Sequence, residues 1–179
     1  MLNAAMHFVE ETLEDSTKVT IRAIHPDDKD RFVKAFLALE PQSIRLRFFY
    51  PKRRLTDDDL ARLEKMDFQQ RVGLAATVQK GGQEIIVGFG EYAARGQSAE
   101  IAFVVADDWQ RRGIASRLLR QLTAIARANG ITQFEADVLV ENTPMLAVFR
   151  NSGLRMRTSH DRGVVQVTLF LTGQAALRE

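Results

Sequence analysis

Two features of this chain are suited to chemistry. The first is the stretch Gln110-Arg111-Arg112-Gly113-Ile114-Ala115, set between an apolar strand and an amphipathic helix. A helix start carries partial positive charge and unpaired N–H groups, so two adjacent cations there are unfavourable until an anion joins them. Gly113 removes a side chain where backbone must approach a ligand closely, and small Ala115 keeps the first helical turn open. The turn reads as a site for an anion such as a pyrophosphate. The plainer alternative has the arginines pointing into water, offset by Asp107 and Asp108. The second feature is a pair of glutamates, Glu91 in "GFGEYAAR" and Glu100 in "SAEIAFVV". On a strand Glu100 shares a face with Ala102 and Val104, opposite Ile101, Phe103 and Val105. A carboxylate in so apolar a strand is expected to be poorly solvated, which raises its proton affinity towards a base's useful range. Glu100 is the first candidate base and Glu91 the reserve. The structural alternative for either is an exposed edge residue.

These residues need a scaffold, and hydrophobic periodicity supplies one. "KVTIRAI" alternates as a strand, and His25-Pro26-Asp27-Asp28 leads into a helix with Phe32, Val33, Phe36 and Leu37 on its apolar positions, stopped by Pro41. A short basic, aromatic-rich helix or turn follows in "SIRLRFFYPKRR". Thr56 and Asp59 form a capping box ahead of Leu60 and Leu63. "RVGLAATVQ" and "EIIVGFGEYAAR" are strands joined at Lys80-Gly81-Gly82, and "SAEIAFVVA" is a third. The helix after the arginine turn carries Ala115, Leu118, Leu119, Leu122, Ile125 and Ala126 as a stripe and ends at Gly130. Then come the strand "TQFEADVLV", a helix with Pro144 near its first turn and Gly153 at its cap, and a last hairpin through "DRG". The order predicts an α/β (α+β) domain: a mixed sheet of about seven strands flanked by helices. Residues 1–17 read as an N-terminal extension and 18–179 as one domain.

Bulk properties set limits. At 179 residues the chain suits a single domain with a real core. With 45% hydrophobic and 27% charged residues it has ordinary globular composition, and a formal charge of +2 does not by itself argue for nucleic acid. No cysteine means no thiol nucleophile, disulfide or thiolate metal site, and His7, His25 and His160 lack metal-ligand spacing, so no metal is expected. No apolar run approaches membrane-spanning length, and the acidic start lacks the pattern of a signal peptide, so a cytoplasmic location is expected.

Gln110, Gly113 and Ala115, in this strand–turn–helix setting, resemble the acetyl-CoA motif of the GNAT acetyltransferase superfamily, Gln/Arg-x-x-Gly-x-Gly/Ala. Asn142 opening another helix that ends in Gly153-Leu154 extends the resemblance over about residues 18 to 171. It implies the GNAT fold, with a splayed central strand pair. It also implies that backbone groups of Phe103, Val104 and Val105 pair with the pantetheine arm of acetyl-CoA. The N–H groups of Arg111, Arg112, Gly113, Ile114, Ala115 and Ser116 would hold the pyrophosphate, and the Asn142 side chain would contact the arm. More narrowly, "SIRLRFF", "LTDDDLARLEKMDFQQRVGLAA" and "ENTPML" resemble the acetyltransferase domain of bacterial protein lysine acetyltransferases. Those enzymes acetylate acyl-CoA synthetases and related proteins. In many of them the domain is fused to a large nucleotide-binding region, for which these 179 residues leave no room.

Acetyl transfer to an amine needs a deprotonated amine, a polarised thioester carbonyl and a proton for the departing thiolate. Glu100 matches the glutamate that such enzymes place on the corresponding strand. Glu91 serves as reserve base or binds the incoming amine. Phe149 stands where many members have a proton-donating tyrosine, so water protonates the thiolate or it leaves unassisted. The basic run Arg45, Arg47, Lys52, Arg53 and Arg54, interleaved with Phe48, Phe49 and Tyr50, reads as a solvated basic face with its aromatics turned to the core. By the resemblance this region shapes the acceptor site, where Arg47 would steer an acidic substrate surface. RNA binding is the alternative for that run. The expected activity is acetyl-CoA-dependent N-acetylation of a protein lysine, by a monomer or homodimer. The alternatives are a small-amine acetyltransferase and a non-catalytic acyl-CoA-binding module.

Overall fold

A computed structural model describes residues 3–173. Residues 1–2 of the expected extension and 174–179 of the expected domain lie outside the described residues. The elements are β1 (Phe8–Thr12), β2 (Lys18–Ala23), α1 (Lys29–Leu37), α2 (Pro41–Phe48), α3 (Asp57–Glu64), β3 (Arg71–Lys80), β4 (Gln83–Arg95), β5 (Ser98–Val105), α4 (Ile114–Ala128), β6 (Gln133–Leu139), α5 (Thr143–Arg150), β7 (Arg155–Asp161) and β8 (Val164–Phe170). They form one mixed sheet in the order β1-β2-β3-β4-β5-β6-β8-β7.

The sheet has eight strands rather than about seven, because Phe8–Thr12 pairs antiparallel with β2. That stretch was expected as part of an extension. Its short run with several charged residues carries little periodic signal, and pairing with the β2 edge completes it.

Each face of the sheet is covered. Val72, Leu74, Ile101 and Phe103 pack under α4, whose Leu118, Leu122 and Ile125 are fully buried. Ala75, Phe89 and Ile24 pack with Phe32 of α1 and Leu63 of α3 on the opposite face. Within α1, Phe32 and Phe36 are buried but Leu37 is exposed, and Pro41 opens α2 in its first turn as well as following α1. The capping box forms as expected: Asp59 N–H donates to Thr56 Oγ1 and Thr56 N–H to Asp59 Oδ2.

Two glycines of β4 set how closely α4 lies on the sheet. A Cβ at Gly88 would stand 2.8 Å from Ile114 Cγ2, and one at Gly90 would stand 2.8 Å from the Phe103 ring and 3.0 Å from Leu122. With no side chain at either position, the start of α4 settles directly over β4 and β5.

The parallel pairing of β5 with β6 stops early. Ser98, Ala99 and Glu100 face Gln133, Phe134 and Glu135, and beyond them β5 pairs only with β4. From Ile101 to Val105 one edge of β5 is therefore open, which is the splay expected of the fold. In the same domain, Arg22 donates to both oxygens of Asp28 at 2.8 Å and also pairs with Glu84 at 2.6 Å. This fastens β2, the start of α1 and β4 together.

Candidate active site

The open edge of β5 borders a cavity of about 660 Å³. Phe103 to Val105 form one wall, Gln110, Arg111 and Gly113 to Ser116 the next, and Asn142 a third. These are the residues expected to hold the donor, with one exception. Arg112 turns away, its guanidinium lying 4.7 Å above the Trp109 ring and 3.2 Å from Asp15. The two arginines do not converge, because Arg111 and Gly113 both take left-handed backbone (φ +61° and +81°) and the chain twists between them.

The positive φ of Gly113 adds a second reason for a glycine there, besides ligand approach. A Cβ would lie 2.5 Å from Nη1 of Arg117. Gln110 has a local duty as well. Its Nε2 donates to the carbonyl of Val105 and to Ser43 Oγ, both at 3.1 Å. Ser43 in turn donates to Asp107, which also accepts the Glu40 N–H, so the chain after β5 is tied to the start of α2. Asn142 caps α5, accepting from Met145 N–H at 3.3 Å.

Among the lining residues not found from sequence are Ser43 and Leu46 of α2, Trp109, and Arg150 of α5. Trp109 adjoins the motif and could have been included with it. The others arrive by tertiary packing and leave no local signal.

A second, mostly apolar pocket of about 100 Å³ lies between α1, α2, α3 and the sheet, walled by Phe32, Phe36, Phe48 and Phe89. Glu91 lies at this pocket, and Val104 and Arg47 border both spaces. Arg47 Nη2 donates to Glu91 Oε1 at 3.0 Å, with side chains 21% and 26% exposed.

Glu100 departs from expectation. Its side chain is 68% exposed, with Arg95 3.8 Å away. The apolar residues flanking it in sequence point to the other face or sit farther along β5, and β6 beside it presents Glu135, so water reaches the carboxylate. It lies outside both cavities. It does share a sheet face with Glu91: Glu91 pairs with Ala102 and Ala93 pairs with Glu100, a diagonal spacing of roughly 7–8 Å between the glutamates' Cα atoms.

The basic run is a solvated face only in part: Arg53 and Arg54 are exposed, while other cations of the run are paired. Arg45 pairs with Glu141, Arg47 with Glu91 and Lys52 with Asp59. Phe48 packs edge-on against Phe36, while Phe49 and Tyr50 are exposed rather than turned inward. With its cation satisfied internally, Arg47 is poorly placed to steer an acidic substrate. Phe149 is buried against Phe103 and offers no proton. Tyr92 lies in the core on the α4 side, where burial pushes its phenol above the usual value.

Comparison with known proteins agrees with this geometry. The acetyltransferase (GNAT) family profile matches residues 39–154. An acetyltransferase of Pseudomonas aeruginosa is 34% identical over 130 residues, 71% of this chain and 69% of that protein. The acetyltransferase Pat of Mycolicibacterium smegmatis is 28% identical over 148 residues, 81% of this chain but only 43% of that protein. The crystal structure of the GNAT domain of S. lividans PAT superposes with a TM-score of 0.82 at 35% identity, covering 91% of this chain and 96% of that domain.

Proposed function

This chain belongs to the GNAT acetyltransferase family, and from that membership we propose that it acetylates the side-chain amine of a protein lysine. Acetyl-CoA is the donor used by the family. One observation carries the reading: the cavity along the open edge of β5 and the start of α4 meets the apolar pocket at Val104 and Arg47. A long anionic thioester and an amine can therefore approach one point from two sides.

Acetyl-CoA supplies the activated acetyl group, and the chain's own residues do the rest. Phe103 to Val105 offer backbone groups along an edge that no strand covers. The N–H groups at the start of α4, with Arg111 beside them, meet phosphate charge. Glu100, four strand positions or roughly 13 Å from Val104, takes the proton from the acceptor ammonium through bridging water. Glu91, already paired with Arg47, holds the amine at the pocket. With Phe149 in place of a proton donor, water protonates the departing thiolate.

The exposure of Glu100 favours a protein over a small amine. An open carboxylate shares an incoming amine with water unless something covers it. A polypeptide laid across β4 and β5 does this, whereas a small amine leaves the carboxylate in water. The similarity to the acetyltransferase Pat and to the GNAT domain of PAT supports the acetyl-transfer part of the reading.

The test is thiol release from acetyl-CoA against candidate acyl-CoA synthetases and an amine library, with products read by mass spectrometry. Acetyl groups on defined lysines are the expected result. Turnover with small amines alone would replace the acceptor. Saturable coenzyme A binding without turnover on any acceptor would make the chain an acyl-CoA-binding module.

A further inference from the structure

The segment before β2 does more than widen the sheet. Three of its residues hold arginines beside the donor turn. Arg117, one turn into α4, is the centre of the contact. Its Nε lies 2.8 Å from Glu11 Oε2, with side chains 21% and 13% exposed. Its Nη2 donates to the Thr12 carbonyl at 3.3 Å, and its Nη1 to the Gly113 carbonyl at 3.1 Å. One guanidinium thus spans β1 and the turn. Glu11 also accepts from Arg120 Nη2 at 2.6 Å and Gln121 Nε2 at 3.2 Å, and Asp15 holds Arg112.

The geometry of one peptide gives this contact a consequence. In a planar trans peptide the C=O and the following N–H point in opposite directions. The Gly113 carbonyl accepts the first helical hydrogen bond, from Arg117 N–H at 3.2 Å, together with the Nη1 bond, so the guanidinium reinforces a direction the helix sets. The Ile114 N–H of that peptide points the other way, where Ile114 lines the donor cavity. Arg117 itself does not line that cavity. Its influence passes through the turn.

We infer that Glu11 and Arg117 are positioning residues for the donor's pyrophosphate: anchored on β1, their ion pair stiffens the Gly113–Ile114 peptide in the direction the helix sets, with its N–H towards the phosphates. The inference rests on the donor reading above. Glu11 is charged at neutral pH. Burial alone would push its carboxyl up, but the Arg120 hydrogen bond and the charges of Arg120 and Arg117 bring it below the usual value.

Trp109, the chain's single tryptophan, lines the cavity and reports its occupancy by fluorescence. The full chain is titrated with coenzyme A and with pantetheine, the same arm without the pyrophosphate, as wild type, Glu11→Gln and Arg117→Met. Both variants are expected to bind coenzyme A about five- to tenfold more weakly, the equivalent of one charge-assisted contact. Pantetheine affinity stays within twofold of wild type. Equal losses for both ligands would reduce the pair to a fold contact, and unchanged coenzyme A affinity would overturn the inference outright. Isosteric Glu11→Gln, checked by circular dichroism, carries the test if Arg117→Met does not fold. Wild-type protein that binds no coenzyme A would instead sink the donor reading.

Discussion

Arg47 of α2 and Glu91 of β4 form an ion pair at 3.0 Å across the seam where the donor cavity meets the apolar pocket. The pair pins a helix over the place where acceptor and thioester would meet. A hydrogen bond between charged, partly buried groups is worth more than one between neutral groups, so Glu91→Gln should raise the acceptor KM about tenfold. Coenzyme A affinity, measured by calorimetry, should stay within twofold. A KM unchanged by the substitution would remove Glu91 from acceptor binding.

Glu100 should behave differently. If it accepts the ammonium proton, Glu100→Gln lowers kcat by about two to four orders of magnitude while donor affinity is retained. Thiol-release rates at saturating acceptor, set beside those of Glu91→Gln, decide which carboxylate is the base.

Asp28 is the stability counterpart. Its side chain is 1% exposed and accepts from Arg22, Arg31 and the His25 N–H. Burial alone would push its carboxyl up, yet the Arg22 hydrogen bond, helped by His25 and Arg31, brings it below the usual value. The Arg22 hydrogen bond likewise lowers Glu84, against the opposing effect of burial. Depressed carboxylates give stability that is complete above the unfolded carboxyl pKa, about 4, and is lost as pH falls through the folded values. Urea midpoints should therefore fall below about pH 4 in the wild type. Asp28→Asn should cost about 3 kcal/mol at pH 7, since it leaves a buried guanidinium short of a partner, and should flatten the acid dependence.

Gly88 links packing to the donor site. Valine there would meet Ile114 at the start of α4, and overpacking of this kind costs about 1–3 kcal/mol. Because Ile114 also lines the donor cavity, coenzyme A affinity should fall along with the melting temperature. An intact affinity in a destabilised Gly88→Val protein would uncouple the two.

Local pattern made much of this protein readable. Alternation in β2 and β6, the apolar runs and hairpin glycines of β3–β5, the 3.6-residue stripe of α4, the Thr56–Asp59 capping box and the Gln110–Ala115 turn are short-range features. They arise from backbone geometry and side-chain spacing within one element. The residues around the donor were legible for the same reason: backbone N–H groups at a helix start follow from the turn that creates them. The glycines of β4 were readable in principle, since an isolated glycine in a strand signals close backbone approach.

Tertiary packing decided the rest. Whether Glu100 is dry or wet depends on which elements cover its face, and no spacing within β5 encodes that. Arg47 found Glu91, Arg45 found Glu141 and Arg117 found Glu11 across sequence separations of 44, 96 and 106. The sequence alone determined where an anion could be held, because that site is made of consecutive peptide groups. Only the folded chain determined which charges are cancelled and which remain open to a substrate, because charge pairing depends on distance in space rather than along the chain.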